Sequence, residues 1–195
     1  MPEFTPTLAL QIAISFFLGS VPFAVISMLG TGIDILKFGS GNPGFNNVLR
    51  YSKWRSALCL IGDAGKGILP MALFATSEVA GWIFGMAAVI GHCFSPFLKF
   101  NGGKGIATSA GVMLYLYPKA LLPCVAVYIL LRLIGGKLKW TERGTIASLS
   151  ASVLFVILLF LQSTQMALLG LLLLAFVAWR HKKNFQTLAA GAGSQ

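Results

Sequence analysis

Seven apolar segments leave this chain few ways to fold. They run at about 7–30, 56–77, 80–98, 105–117, 119–135, 146–162 and 165–180. Most come near the ~20 residues that a helix needs to cross a bilayer. Inside a bilayer each backbone N–H and C=O must find its partner within the segment, so every one of these runs reads as an α-helix. The chain has 195 residues, 56% hydrophobic and 10% charged, with a mean hydropathy of +0.82. A soluble domain of that size cannot bury so much apolar surface, and the membrane is the implied solvent. The expected fold is therefore all-α and integral to the membrane. A single transmembrane domain is expected over residues 1–195, with its core at about 7–190. No internal repeat stands out, and the final Gly191–Gln195 stretch reads as a frayed tail. The first apolar run is long and has no preceding Lys or Arg, so it is read as a span and not as a cleavable signal.

The basic residues give the orientation. Lys37, Arg50, Lys53 and Arg55 follow the first segment; Lys99 and Lys104 precede the fourth; Arg132, Lys137, Lys139 and Arg143 precede the sixth; Arg180, Lys182 and Lys183 follow the seventh. With seven spans these regions share one face, while Lys119 lies opposite and Lys66 lies within a span. The positive-inside rule puts that face in the cytoplasm, with the N-terminus outside and the C-terminus cytoplasmic. The net charge of +10 is thus topology signal, and no nucleic-acid partner is implied.

The fourth segment is too short. Ile106 to Tyr117 spans ~18 Å as a helix, well under the ~30 Å hydrocarbon core. The preceding loop, Phe100-Asn101-Gly102-Gly103-Lys104-Gly105, is therefore expected to be re-entrant. Three glycines let backbone N–H groups approach a ligand, successive N–H groups form an anion-binding concavity, and the following helix start adds its own dipole. A phosphate or carboxylate site and a plain polar turn are both open readings. A nucleotide P-loop is not, because Leu98 and Gly105 stand where that pattern needs Gly and Ser or Thr.

Three more polar clusters fall on the same predicted face. Gly39-Ser40-Gly41-Asn42-Pro43-Gly44 leads through Asn47 to Arg50, which a short helix should carry. Ser and Asn offer neutral hydrogen bonds and Arg a bidentate fork suited to phosphate. Thr141-Glu142-Arg143-Gly144-Thr145 opens the sixth segment, where Thr145 offers a hydroxyl or a helix cap. Arg180-His181-Lys182-Lys183-Asn184 closes the seventh, with His181 and Asn184 three apart on one helical face. Asp63 and Lys66, also three apart within the second segment, are expected to neutralise each other as a structural pair. Cys59, Cys93 and Cys124 sit in apolar runs and read as inert thiols. The acids Asp34, Asp63 and Glu142 are scattered, so neither a catalytic metal nor another cofactor is implied. Gly-x-Ser-x-Gly, His-Glu-x-x-His and His-x4-Asp patterns do not occur.

These clusters resemble the PlsY-type acyl-phosphate:glycerol-3-phosphate acyltransferase family of bacteria. The resemblance runs through Gly19-Ser20-Val21-Pro22, Asp34, Gly39-Ser40-Gly41-Asn42 with Gly44, Asn47 and Arg50, and Asp63-x-x-Lys66-Gly67. It continues through Gly91-His92-x-x-x-Pro96-Phe97, Gly102-Gly103-Lys104-Gly105, and Arg180-His181-x-x-Asn184. It implies seven transmembrane helices in the bacterial inner membrane and a cytosolic site acting without a cofactor, as a monomer among membrane lipids. The implied substrates are acyl phosphate and glycerol 3-phosphate, and the products lysophosphatidic acid and phosphate. By position, Ser40, Arg50 and Lys104 would hold phosphate groups, with Asn42, Asn47, Gly102, Gly103 and Gly105 completing the binding loops. His181 and Asn184 would position the glycerol phosphate, and Thr145 stands where the family has a serine. Lys104 and His181 are the expected catalytic residues. The hydroxyl proton has two open destinations, His181 and a phosphate oxygen of the substrate. This chain departs from the family at Phe45, where alanine is usual, at Leu36, and at Glu142 and Arg143. A paralogue with another acyl acceptor, an anion transporter and a non-catalytic binder of anionic lipid are the alternatives.

Overall fold

A computed structural model describes residues 5–192. Among these every regular element is helical. The chain divides into two compact units, Met1–Leu116 and Tyr117–Gln195, each described by itself. Unit one holds α1 (Pro6–Ser20), α2 (Phe23–Ser27), α3 (Phe45–Tyr51), α4 (Lys53–Phe74), α5 (Glu78–Cys93) and α6 (Ile106–Leu116), with a 3-10 turn at Pro96–Leu98. Unit two holds α7 (Pro118–Lys137), α8 (Arg143–Phe160), α9 (Thr164–Arg180) and α10 (Lys182–Ala192).

All seven predicted segments are helical. Five stretches are long and apolar enough to cross a membrane: Pro6–Ser27, Lys53–Phe74, Glu78–Leu98, Pro118–Lys137 and Arg143–Phe160. A sixth is counted if α9 and α10, bent by 57° at their junction, are taken together. The short fourth segment is α6, of 11 residues. Lys53, Arg55 and Arg143 belong to helices although they lie outside the apolar runs, because charge ends an apolar stretch without ending the backbone ladder. The last helix, α10, extends over the basic tail to Ala192, so Gly191 and Ala192 are helical. Residues 193–195 of the expected frayed tail lie outside the described residues.

Helix starts follow their caps. Thr5, Ser77 and Ser163 side chains accept from the backbone N–H of Leu8, Ala80 and Met166, satisfying donors that have no intrahelical partner. Contacts within unit one rely on small residues, as is usual where dispersion rather than hydrophobicity drives helix association. A Cβ on Gly19 or Gly91 of the α1–α5 contact would collide with backbone of Ala88 or Phe16. At the α4–α6 contact Gly67 lies against the Thr108 carbonyl and Gly111 against that of Ala64.

The break between α1 and α2 falls at Val21-Pro22, where proline has no N–H to continue the ladder. The Lys66 ammonium reaches across from α4 to the Val21 carbonyl at 2.7 Å. Lys66 also pairs with Asp63 at 2.8 Å, both side chains being almost fully buried. The pair expected from the spacing therefore exists, and it seals a helix break as well as neutralising itself.

Candidate functional site

Unit one brings two of the predicted clusters together. The loop before α3 winds on left-handed glycines, Gly39 at φ 57° and Gly41 at φ 67°, a region that side chains disfavour. Asn47 holds this loop from inside. It is 1% exposed. Its Nδ2 donates to the carbonyls of Ile35 (3.1 Å) and Phe38 (2.8 Å), and its Oδ1 accepts from the Ser40 N–H (3.0 Å). The amide is thus committed to backbone, and Asn47 acts as a clip for the loop instead of reaching out to a ligand. Arg50 lies in the last turn of α3 and is exposed. A Cβ on Gly39 would meet the Arg50 Nη1 at 3.4 Å, so the guanidinium lies beside the residue preceding exposed Ser40. Asn42 is half-buried in the same loop, with its side chain against Gly44.

The Gly102–Gly105 loop differs from the expected concavity. The Gly102 N–H donates to the Cys93 carbonyl and the Gly103 N–H to the His92 carbonyl, both at 3.1 Å. These two amides satisfy the end of α5, where carbonyls lack intrahelical partners, and so they are not pointed at an anion. Their glycines are required by close approach. A Cβ on Gly102 would collide with the His92 and Cys93 backbone, and one on Gly103 with the His92 ring and the Pro43 carbonyl. Gly105 adopts φ 91°, which turns the chain into α6. Lys104 is half-buried and enters directly before the α6 N-terminus, whose first N–H groups have no intrahelical acceptor. The anion-binding capacity of this loop therefore lies at Lys104 and the start of α6.

His92, named in the sequence only within the Gly91-His92 motif, joins this loop to α4. Its Nδ1 lies 3.5 Å from Asp63 Oδ1 while its Nε2 side packs on Gly103. Asp63, Lys66, His92, Ser20, Pro43 and Gly103 line one small hollow, with room for about a single water. The loops around Pro43 and Gly103 thus meet at a buried ionic network drawn from α4 and α5. The i,i+3 spacing made Asp63 and Lys66 visible; the link to His92, 29 positions away, had no sequence signal.

Unit two gathers Thr145, His181 and Asn184. His181 is buried, and its Nδ1 lies 2.8 Å from the Val177 carbonyl. A carbonyl only accepts, so Nδ1 carries the hydrogen and, in the neutral ring, Nε2 carries the lone pair. His181 caps α9 at the bend and its carbonyl receives the Asn184 N–H at 2.8 Å. The two residues are therefore neighbours across a turn and not on one continuous helix. Thr145 is buried inside α8 and is not its cap; Glu142 holds that position. The Thr145 hydroxyl donates to Glu142 Oε2 at 2.8 Å, and Asn184 Nδ2 donates to the same oxygen. Glu142 has no site role in the sequence reading, where it stands in the Thr141–Thr145 cluster and as a departure from the family. Its pairing with Asn184 spans 42 positions and no local pattern marks it.

The family model described as "Glycerol-3-phosphate acyltransferase" matches residues 9–191. The glycerol-3-phosphate acyltransferase of Azotobacter vinelandii is 40% identical over 184 residues, covering 91% of this chain and 94% of that protein. That of Pseudomonas aeruginosa strain LESB58 is 39% identical over 185 residues, with 91% and 94% covered. Among solved structures, the chain is similar to PlsY, an integral membrane glycerol 3-phosphate acyltransferase, in its glycerol 3-phosphate form. The TM-score is 0.80 at 29% identity, over 95% of this chain and 93% of that one. The lysophosphatidic acid form of PlsY gives the same TM-score at 28% identity.

Proposed function

The chain belongs to the glycerol-3-phosphate acyltransferase family, and on that premise we propose how it works: it transfers a fatty acyl group from acyl phosphate to glycerol 3-phosphate. The products are lysophosphatidic acid and inorganic phosphate. Membership sets aside the transporter and the passive lipid binder. The seven-span topology, with the N-terminus outside and the basic loops cytoplasmic, is retained in the proposal, α6 and its loop forming the short span. So are action as one domain, a monomeric state and the bacterial inner membrane.

The observation that carries the chemistry is the placement of Lys104. Its loop is pinned to α5 through two backbone hydrogen bonds and packed on a buried ionic network, and the lysine stands in the chain just ahead of the α6 start. Such a group stabilises charge without reorganising during reaction. An acyl phosphate is already activated, so no covalent enzyme intermediate is required. The acceptor hydroxyl oxygen forms a bond to the acyl carbon. The bond between that carbon and the phosphate oxygen breaks, and the phosphate leaves with the electron pair. Lys104 neutralises the leaving phosphate. Ser40 and Arg50 hold a phosphate group in the loop that Asn47 braces, with Asn42 alongside. Thr145 and Asn184 bind the glycerol phosphate. The hydroxyl proton passes to His181 Nε2 or to a phosphate oxygen, and the tautomer fixed by Val177 supports the histidine.

Phosphate release from palmitoyl phosphate by the purified protein tests this reading, with glycerol 3-phosphate added or withheld, and with an acyl-CoA donor and Lys104→Met as controls. Release that needs the acceptor, the acyl phosphate donor and Lys104 is expected. Release independent of the acceptor, or equal in a folded Lys104→Met protein, contradicts it.

A further inference from the structure

Glu142 is an acid at a place where the proposed chemistry calls for an empty anion seat. It stands at the N-cap of α8, yet its side chain makes no capping hydrogen bond. Its backbone is left-handed, at φ 56° and ψ 27°, an uncommon conformation for a residue with a side chain. The carboxylate is instead turned so that one oxygen, Oε2, takes both the Thr145 hydroxyl and the Asn184 amide. No ion pair to Glu142 occurs among the described residues. Two neutral donors converging on one anionic oxygen is how a protein would hold an oxygen of a phosphate monoester.

We propose that Glu142 is an affinity-determining residue: its carboxylate occupies the hydrogen-bond donors of the acceptor's phosphate and must be displaced before glycerol 3-phosphate binds. This rests on the assignment of Thr145 and Asn184 to that phosphate. Substrate then binds against a competitor built into the chain. The competitor carries like charge, so a dianion cannot share the donors with it and the carboxylate has to swing away. The consequence is an acceptor affinity weaker than the same donors would otherwise provide, set by a residue at which this chain departs from its family.

The test is a direct titration of the full-length protein in detergent with glycerol 3-phosphate, alongside turnover. Wild type, Glu142→Gln, Glu142→Ala and Glu142→Ala/Asn184→Ala are compared. Glu142→Ala is expected to bind at least about tenfold more tightly (about 1.4 kcal/mol), in line with the strength of one charge-assisted hydrogen bond. Glu142→Gln, which keeps the shape and loses the charge, should fall between. A gain of affinity cannot come from damage to the fold, which separates this role from a structural one. The gain should vanish when Asn184 is also removed. Unchanged, weaker or undetectable binding in Glu142→Ala and Glu142→Gln overturns the proposal, and so does a gain that survives without Asn184. A wild type that binds glycerol 3-phosphate without acylating it would overturn the proposed reaction and leave the role of Glu142 to the titration.

Discussion

Replacing Lys66 by methionine should be among the most damaging single changes available outside the proposed substrate contacts. Lys66 is 5% exposed and Asp63 2% exposed. The ammonium holds the Asp63 carboxylate at 2.8 Å and the Val21 carbonyl at 2.7 Å. Methionine fills nearly the same space but leaves a buried carboxylate without its closest cation. Breaking a buried pair from one side costs about 3–5 kcal/mol. The orphaned carbonyl adds an overlapping cost of about 1–3 kcal/mol. The two share an atom and are not additive, so about 3–5 kcal/mol in total is expected. For a chain of this length that is a fall of ~6–20 °C in Tm. Thermal unfolding in detergent can be followed by thiol labelling, because Cys59, Cys93 and Cys124 are buried thiols outside any disulfide. Asp63→Leu combined with Lys66→Met removes both charges and should recover much of the loss, since replacing a whole buried pair by apolar groups is often neutral. A Lys66→Met protein within about 1 kcal/mol of wild type would refute the reasoning. A double variant worse than the sum of the two single ones would do so too. Either result would mean that the pair is solvated and does not brace the α1–α2 break.

Other consequences follow from the loops. In a folded protein Lys104→Met should lower turnover by ~100-fold or more, the scale for removing a preorganised charge-stabilising donor; steady-state phosphate release checks it. Arg50→Lys should raise the KM for glycerol 3-phosphate by about tenfold, because an ammonium cannot reproduce the planar fork; an unchanged KM removes Arg50 from the phosphate contact. Gly103→Ala should cost about 1–3 kcal/mol through overpacking against the His92 ring and the Pro43 carbonyl. Gly65→Ala serves as its control, since a Cβ there meets nothing within 4 Å and should be neutral or slightly stabilising. Equal unfolding temperatures for the two variants would contradict the packing described for Gly103.

How much of this was legible in the sequence depended on the range of the interaction concerned. Helices were legible because an apolar run of given length has one solution in a membrane. The truncation of α6 was legible for the same reason, and the Asp63–Lys66 pair because residues three apart on a helix are neighbours. The Gly102-Gly103 amides were not. A run of glycines preceding a helix can aim its N–H groups at a ligand or at carbonyls of another helix, and only the arrival of His92 and Cys93 opposite them decides. Asn47 was misjudged for a similar reason. Its side chain has the chemistry of a ligand contact, but the carbonyls of Ile35 and Phe38 close around it. Of the two readings open for Thr145, a hydroxyl for a ligand or a helix cap, the cap falls away because the chain enters α8 two residues earlier, past Glu142 in a left-handed turn. In each case the residue type was informative and its partner was distant.

Burial separates the polar residues of unit one into two tasks. Asn47, Asp63, Lys66 and His92 are buried, and the contacts described for them are to backbone, to one another or to Gly103. Ser40 and Arg50 are exposed, and Lys104 is half-buried. Transfer from an acyl phosphate needs positive charge and hydrogen-bond donors held still while a dianion leaves. Glycine-rich loops are poor at holding still, since glycine has the most conformational freedom to lose. The buried set supplies what the glycines lack: Asn47 ties the first loop to its own backbone, and the Asp63–Lys66–His92 network sits against the second at Gly103. On this view the cost of ordering both loops is met before substrate arrives. A substitution such as Asp63→Asn, which keeps the shape and weakens the network, should therefore lower kcat more than it raises the KM for either substrate. A rise in KM with kcat unchanged would place the network in ground-state binding and refute the division.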